Sequence, residues 1–454
     1  MHDVLSLSAT QQAKLIRERK ISSEELIEAY LVRIAEINPA LNAATEVFAD
    51  RALTEARDAG RSAIPGPLHG VPFSIKDSLE LSGVVCTAGT MGRGNAAPST
   101  SDAALIASLR AAGAIPIAKT NLPDLLFAFE SDNLLFGRTN NPYDVTRTCG
   151  GSSGGEAALI AACGSPMGLG SDCAGSVRLP AAFCGIAGLK PTSGRLPREG
   201  HFPPAGGWIE SLWQIGPMAR SVEDLQLTMG LLAPFTPLDS IDGLKIAFHS
   251  NNGFVAATEE VASLVRAAAR ELSAVEDRPA CIANAYDLEM KILGADGGDG
   301  VRAYLAEIGS TRVHPLLTGW LDKLEAYRTD LAGFRKYWGE WDAYRAQMAA
   351  FFQKYDAIVC PAYSQPALPH GTSTLDGNFR GFSYTMAYNV AGLPAAVVRC
   401  GESSAGLPIA VQIVARPQRE DVALAIAGRL EEVFGGWKAP ATIFSEAAVP
   451  ASAR

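Results

Sequence analysis

One lysine and two serines lie in three glycine-rich segments whose residue types could support nucleophilic chemistry. Lys76 follows the apolar run GVPFSI, Ser152 lies in CGGSSGGE (149–156), and Ser176 lies in GLGSDCAGSVRLPAAFCGIAGLKPT (168–192). Nucleophilic acyl transfer needs a hydroxyl, a base that removes its proton, and backbone N–H donors for the developing oxyanion. Because none of the six histidines lies in either serine segment, Lys76 is the candidate base.

A different hypothesis starts from the segment CGGSSGGE (149–156). The residues from Gly151 to Gly155 satisfy GxSxG, the nucleophile elbow of α/β-hydrolases, with Ser153 as the nucleophile. That mechanism needs a downstream acid and a histidine, and His370 or His314 could be nominated. It would give an esterase, but it leaves Lys76 and the second serine segment unexplained.

Composition limits the function classes. The 454 residues are 48% hydrophobic and 19% charged, which is typical of a packed globular protein. The net charge of −9 argues against nucleic-acid binding and against attraction to anionic membranes. No apolar run reaches the roughly 20 residues of a membrane-spanning helix, and the N-terminal residues lack a signal-peptide pattern. The eight cysteines form no paired CxxC motifs, so we expect no metal site and a cytoplasmic location.

Helices and strands must position the three segments, and the spacing of apolar residues predicts where these elements lie. Apolar spacing and the capping box of Ser22 and Glu25 predict a helix over 21–37. The rest of the N-terminal half is predicted to contain helices over 44–58, 101–113 and 156–163, with strands over 71–75 and 114–118. This alternation predicts an α/β protein with a twisted mixed sheet covered by helices on both faces.

The C-terminal half continues the same organisation. The stretch 232–242 is the strongest internal break, and 258–355 is predicted to be a helical scaffold at the substrate rim. Further strands are predicted over 244–249, 357–362, 395–400 and 408–415, with a last helix from Glu420 to Phe434. Since no linker or repeat interrupts the chain, we expect one large domain over 1–454.

The three segments, in this order, resemble those of the amidase signature family of serine hydrolases. The central signature covers 147–195, and weaker similarity includes GPMARSVEDL (216–225) and YTMAYNVAGLPAAVV (384–398). The stretch 121–144 looks closest to fatty acid amide hydrolase and related bacterial amidases. The resemblance implies the same α/β fold in a single domain.

The resemblance also implies roles for individual residues. Lys76 matches the catalytic lysine, Ser152 the bridging serine after a cis peptide bond, and Ser176 the nucleophile. The backbone N–H groups that match the family's oxyanion donors are those of Cys173, Ala174, Gly175 and Ser176. The supporting polar groups match Ser153, Asp172 and Arg178. The residues that line the acyl channel match Leu126, Phe127 and Phe129. Ala174 departs from the family's usual glycine, and because alanine disfavours positive φ we expect a slightly reshaped loop there.

The implied chemistry is an acyl-enzyme mechanism with a Ser-Ser-Lys triad. A neutral Lys76 would take a proton from Ser152 as Ser152 takes one from Ser176, and the reverse relay would protonate the leaving nitrogen. We expect an amidohydrolase of apolar or aryl carboxamides, with esterase activity and no cofactor. Carbamate hydrolysis with the same triad, or a glutaminase subunit of a glutamyl-tRNA amidotransferase, are the alternatives. We expect a small-molecule substrate and no nucleic-acid partner, and the sequence leaves homo-oligomerisation open.

Overall fold

The computed structural model describes residues 2–61, 66–204 and 208–441. Eleven of the described strands form one sheet in the order β1-β3-β2-β6-β8-β7-β12-β13-β11-β9-β10, and β4 and β5 form a separate hairpin. The strands are β1 (Ala44–Val47), β2 (Pro72–Lys76), β3 (Ile115–Thr120), β4 (Asp132–Asn133), β5 (Gly137–Arg138), β6 (Met167–Asp172), β7 (Ala187–Lys190), β8 (Gln214–Ala219), β9 (Ile246–Phe248), β10 (Val275–Glu276), β11 (Ala357–Pro361), β12 (Ala395–Glu402) and β13 (Pro408–Ala415).

Helices cover both faces of this sheet. The described helices are α1 (His2–Leu5), α2 (Ala9–Arg17), α3 (Ser23–Leu41), α4 (Ala49–Ala59), α5 (Ala104–Ala111), α6 (Gly154–Ala161), α7 (Arg178–Phe183), α8 (Val222–Leu232), α9 (Glu259–Glu271), α10 (Ala285–Leu293), α11 (Asp299–Glu307), α12 (Pro315–Glu325), α13 (Leu331–Phe351), α14 (Asp376–Arg380), α15 (Ser383–Val390) and α16 (Glu420–Phe434). No described helix combines the length and the apolar character needed to cross a bilayer.

The sheet is mixed, and its two faces belong to different hydrophobic clusters. β2 runs parallel to β3 and β6, whereas β8 is antiparallel to both β6 and β7. In β12, Val397 packs into the cluster that contains α3, α6 and α7, while Ala396 and Val398 pack into the cluster that contains α8, α9 and α16. Because successive side chains of a strand point to opposite faces, this alternation places a core on each side. The predicted α/β class with a mixed, doubly covered sheet is confirmed.

Most predicted elements are confirmed, but the predicted helix over 44–58 is wrong at its start. Ala44–Val47 is a strand that pairs antiparallel with β3, and α4 begins only at Ala49. The Asn38 side chain accepts hydrogen bonds from the N–H groups of Ala43 and Ala44, which ends α3 and turns the chain into β1. Sheet pairing therefore overrides the helix propensity of this alanine-containing stretch.

The neighbouring parallel strands β2 and β6 place the lysine segment and the second serine segment at the carboxyl ends of the strands. Ser74 pairs with Gly168 and Ile75 with Leu169, so Lys76 at the end of β2 lies beside the end of β6. The carboxyl ends of parallel strands are the usual location of ligand sites in α/β sheets. The structure thereby brings the lysine segment and the second serine segment together.

Candidate active site

Lys76 is fully buried, and hydroxyl groups surround its amine. Its Nζ lies 2.6 Å from Ser152 Oγ and 3.0 Å from Ser171 Oγ, and it also donates to the Ser171 carbonyl at 3.4 Å. Burial lowers the pKa of Lys76 well below its ordinary value, although the charges of Asp172 and Glu156 partly oppose this. A lysine in this environment can lose its charge and act as a base at neutral pH.

Ser153 supports this lysine indirectly, through Ser171. The Ser153 hydroxyl accepts a hydrogen bond from the Ser171 N–H at 3.2 Å and donates to the Ser171 carbonyl at 3.3 Å. Ser171 in turn contacts Lys76, which sequence reasoning missed, although Ser171 lies in the same segment as Ser176. The peptide bond between Gly151 and Ser152 is cis, as the resemblance implies.

The loop at 173–176 follows β6, and its backbone conformation requires a glycine at position 175. Gly175 has φ +131°, and a Cβ there would lie 2.4 Å from Thr385 Oγ1, so any side chain at this position is both strained and blocked. Ala174 keeps a negative φ. The alanine that departs from the family pattern is therefore unstrained, and the expected reshaping at this residue is not needed.

The backbone N–H groups of this loop have different partners. The Gly175 N–H donates to Asp172 Oδ1 at 2.8 Å, so it is already engaged. Among the described residues, the N–H groups of Cys173, Ala174 and Ser176 donate to no acceptor. Of the four predicted oxyanion donors, the structure leaves these three unengaged.

A buried ion pair anchors the loop from behind. Arg178 donates through Nε and Nη2 to the two oxygens of Asp172, both at 2.9 Å, and both side chains are fully buried. Burial alone would raise the pKa of Asp172, but the charge and hydrogen bonds of Arg178 lower it below its ordinary value. Asn389 donates to Asp172 at 2.9 Å, and Gln412 accepts from Arg178 at 2.7 Å. Charged, bidentate contacts of this kind fix side-chain geometry tightly.

Ser152 and Ser176 line the same small cavity, which we call the serine pocket. Its volume is about 40 Å³, and the remaining wall is formed by Leu126, Phe127, Ala128, Phe129, Cys173, Ala174, Ile209, Trp213, Leu293 and Trp320. All three predicted channel residues are therefore at this wall. Leu293 and Trp320 come from the helical region 258–355, and neither Leu293 nor Ile209 carried a signal in the sequence.

The two phenylalanines of this wall differ in their surroundings. Phe129 is 2% exposed and packs against the rings of Trp320 and Phe382, with centroids 5.4 Å and 3.7 Å away. Phe127 is half-buried and meets the Trp320 ring edge-on at 6.2 Å. Phe129 is thus part of an aromatic core, while Phe127 has the freer side chain.

Neither of the two histidines nominated for a nucleophile elbow at Ser153 is paired with that serine in the structure. His314 Nε2 lies 3.5 Å from an oxygen of Asp132, and His370 Nδ1 lies 4.0 Å from Glu130. Neither histidine contacts Ser153, whose hydroxyl is fully buried against Ser171. Within the described ranges, no group of three or more His, Cys, Asp or Glu residues is arranged to hold a metal ion.

Comparison with known proteins gives a consistent result. The family model described as Amidase matches residues 25–424. Fatty-acid amide hydrolase 2 from Homo sapiens is 31% identical, over 96% of this chain and 91% of that protein. One component of the glutamyl-tRNA(Gln) amidotransferase from Roseiflexus sp. (strain RS-1) is 35% identical, over 94% of this chain and 96% of that protein. The structure of 6-aminohexanoate cyclic dimer hydrolase complexed with substrate has a TM-score of 0.86 and 26% identity, covering 96% of this chain and 99% of that one.

Proposed function

Since this chain belongs to the amidase signature family and is a hydrolase of amide C–N bonds, we propose that it cleaves uncharged carboxamides with an apolar or aryl portion. Lys76, Ser152 and Ser176 are the proposed triad. The observation that carries this proposal is the buried Lys76 amine 2.6 Å from Ser152 Oγ, beside the pocket that Ser152 shares with Ser176.

In the proposed acylation step, the Ser176 oxygen attacks the substrate carbonyl. Its proton passes to Ser152 while the Ser152 proton passes to neutral Lys76, so the hydroxyl of Ser152 is restored. When the C–N bond breaks, the proton returns through Ser152 to the leaving nitrogen, which departs as a neutral amine. Protonation matters here because an amine anion is a very poor leaving group. Water then attacks the acyl-Ser176 ester with the same base and releases the acid.

Backbone donors would stabilise the oxyanion formed in both steps. The unengaged N–H groups of Cys173, Ala174 and Ser176 support this role, and the bond from Gly175 to Asp172 holds the loop in place. Such pre-oriented donors are worth about 10²–10³ in rate each. The loop therefore needs no charged side chain to stabilise the transition state.

The composition of the serine pocket supports the proposed substrate class. Its described lining residues include no charged side chain. Seven of them are large aliphatic or aromatic residues, namely Leu126, Phe127, Phe129, Ile209, Trp213, Leu293 and Trp320. Apolar walls of this kind bind alkyl and aryl groups. Esters should also react because they are easier acyl donors, and we expect the same acylation to extend to aryl carbamates.

A glutaminase role within an amidotransferase is the second candidate, and the 35% identity to the Roseiflexus amidotransferase component favours it. Free glutamine carries an ammonium and a carboxylate, which need charged partners. The described wall of the serine pocket offers neither charge, so we favour a stand-alone amidase. Assaying the isolated chain on anilides, fatty amides, carbamates, esters and glutamine separates the two candidates.

Covalent labelling tests the assignment of the nucleophile. A fluorophosphonate probe should modify Ser176, and Ser176→Ala should abolish the adduct. Ser152→Ala should slow labelling severely, because it removes the proton bridge, while Ser153→Ala should have a milder effect. An adduct on Ser153 that persists in Ser176→Ala would instead support the nucleophile-elbow mechanism.

A further inference from the structure

Glu289 is a buried carboxyl group that the proposed mechanism does not use. It lies in α10 with no exposed surface, and neither of its carboxyl oxygens has a hydrogen-bond partner among the described residues. Buried polar groups in folded proteins are almost always paired, so an unpaired buried carboxyl requires an explanation. The position of Glu289 in the fold indicates what that explanation is.

Glu289 lies in a helix that packs beside the loop proposed to hold the oxyanion, because Cys173 of that loop packs against the hydrophobic cluster that contains Leu288 of α10. Leu293, one helical turn further along the same face of α10, lines the serine pocket. The charge of Glu289 also acts on Cys173, where it adds to the effect of burial in raising the thiol pKa. The carboxyl is therefore close enough to the 173–176 loop for its charge state to be felt there.

The two cations that act on Glu289, Arg178 and Lys190, interact with other partners. Burial raises the pKa of Glu289 well above its ordinary value, Arg178 and Lys190 oppose this, and Asp172 adds to it. Arg178 is paired with Asp172, and Lys190 Nζ donates to the Pro191 carbonyl at 2.8 Å. Among the described residues neither cation forms an ion pair with Glu289, so the effect of burial, which favours the neutral acid, is not offset by a direct counter-charge.

Burial shifts the pKa of three other titratable groups around Glu289. Burial lowers the pKa of Lys190 to about 7, so its positive charge fades as pH rises. The charge of Glu289 also acts on Tyr344 of α13 and on Cys173, and burial raises the pKa of both well above their ordinary values. Burial therefore favours the neutral forms of both Lys190 and Glu289.

We propose that Glu289 is a positioning residue that must keep its proton for the 173–176 loop to stabilise an oxyanion, so that its ionisation limits hydrolysis at alkaline pH. This inference rests on the proposed function. A carboxylate beside the loop would repel the negative charge that develops on the substrate oxygen. For a separation on the order of 10 Å and an effective dielectric constant of about 20, this repulsion corresponds to a rate loss of about tenfold.

The pH dependence of kcat/KM for a small aryl ester and the matching anilide tests the proposal. In the wild-type enzyme both should rise as Lys76 loses its proton and then fall about tenfold at alkaline pH. Glu289→Gln is nearly isosteric and neutral at every pH, so it should keep the rise and lose the fall. Lys190 still titrates in the variant, so the difference between the two profiles isolates Glu289.

A matched control is Glu431→Gln. Glu431 lies in α16, where its carboxylate accepts from the Val222 N–H, and burial raises its pKa to about 7. Because it does not line the serine pocket, the control should keep the alkaline fall. If Glu289→Gln is unstable, Glu289→Met provides an uncharged side chain of similar length, with the same expected profile.

An alkaline fall that persists in Glu289→Gln or Glu289→Met would overturn the proposal. So would a loss of kcat at neutral pH with an unchanged profile shape, because that result indicates a purely structural role. Ser176→Ala separates this failure from failure of the proposed function: if that variant remains fully active, the triad itself is wrong.

Discussion

Replacing Asp172 by asparagine is expected to destabilise the protein strongly and to impair catalysis beyond that effect. The substitution leaves the fully buried Arg178 without its counter-charge, and removing one partner of a buried ion pair costs about 3–5 kcal/mol. The new amide NH₂ would also face an N–H group, because Gly175 and Val177 each donate to one carboxylate oxygen, at 2.8 Å and 3.1 Å. Because the free energy of unfolding of a folded protein is about 5–15 kcal/mol, a loss of this size should still leave the variant folded at low temperature.

The expected effect on kcat follows from the position of these two N–H groups, which flank Ser176. If the loop shifts, at least one oxyanion donor is misplaced, and losing one such donor lowers kcat by about 10²–10³-fold. Urea unfolding followed by circular dichroism measures the loss of stability. The ester kcat, taken under conditions where the variant is fully folded, measures the effect on the loop separately.

Asp224→Asn is the matched control for this prediction. Asp224 is also fully buried and accepts from the N–H groups of Ala9 and Thr10, at 2.8 Å and 2.9 Å, but it lies outside the serine pocket. It should lose about 1–3 kcal/mol of stability and keep its kcat. If Asp172→Asn is no less stable than Asp224→Asn, or keeps a wild-type kcat, then the ion pair does not organise the loop.

The remaining predictions concern the base and the pocket wall. Lys76→Ala should reduce amide hydrolysis by about 10⁴-fold or more but ester hydrolysis by less, because only amides need the leaving group protonated; equal losses would argue against the relay. The wild-type acylation rate should rise with pH along one ionisation well below the ordinary pKa of lysine, because burial lowers the pKa of Lys76; a rise only near the ordinary value would contradict a neutral base. Phe127→Ala should change the kcat/KM ratio of bulky to small substrates with little change in Tm, whereas Phe129→Ala should cost about 3–5 kcal/mol of stability; the reverse pattern would exchange their assignments.

The fold class and the chemistry-bearing segments could be predicted because their signals are local. The glycine-rich segments and the apolar runs before Lys76 and Ser176 carry their meaning within about ten residues, as sequence patterns of this kind do. Other parts of the site depend on long-range packing. Asn389 reaches Asp172 across 217 positions and Gln412 reaches Arg178 across 234, so no local pattern could reveal either contact.

The features that the sequence analysis predicted wrongly or missed also depend on long-range packing. The helix predicted over 44–58 rests on the alanines of that stretch, but its first residues form β1, which pairs with β3 more than 70 positions later. Leu293 lies in the region 258–355 that is predicted at the substrate rim, but no pattern in the sequence singles out Leu293 or Ile209 as part of the pocket wall. Glu289 looks like an ordinary residue of an amphipathic helix, and only the fold shows that its carboxyl is buried without a hydrogen-bond partner among the described residues.

The long reach of Asn389 and Gln412 has a consequence for the order in which the enzyme becomes active. A ribosome releases the N-terminal part of the chain first, so Lys76, Ser152 and Ser176 emerge long before these two amides do. A nascent chain that ends before β13 therefore carries every proposed reacting group but lacks the side chain that accepts from Arg178. Hydrolytic competence is in this sense a property of the nearly finished polypeptide, and an incomplete translation product is not expected to hydrolyse amides.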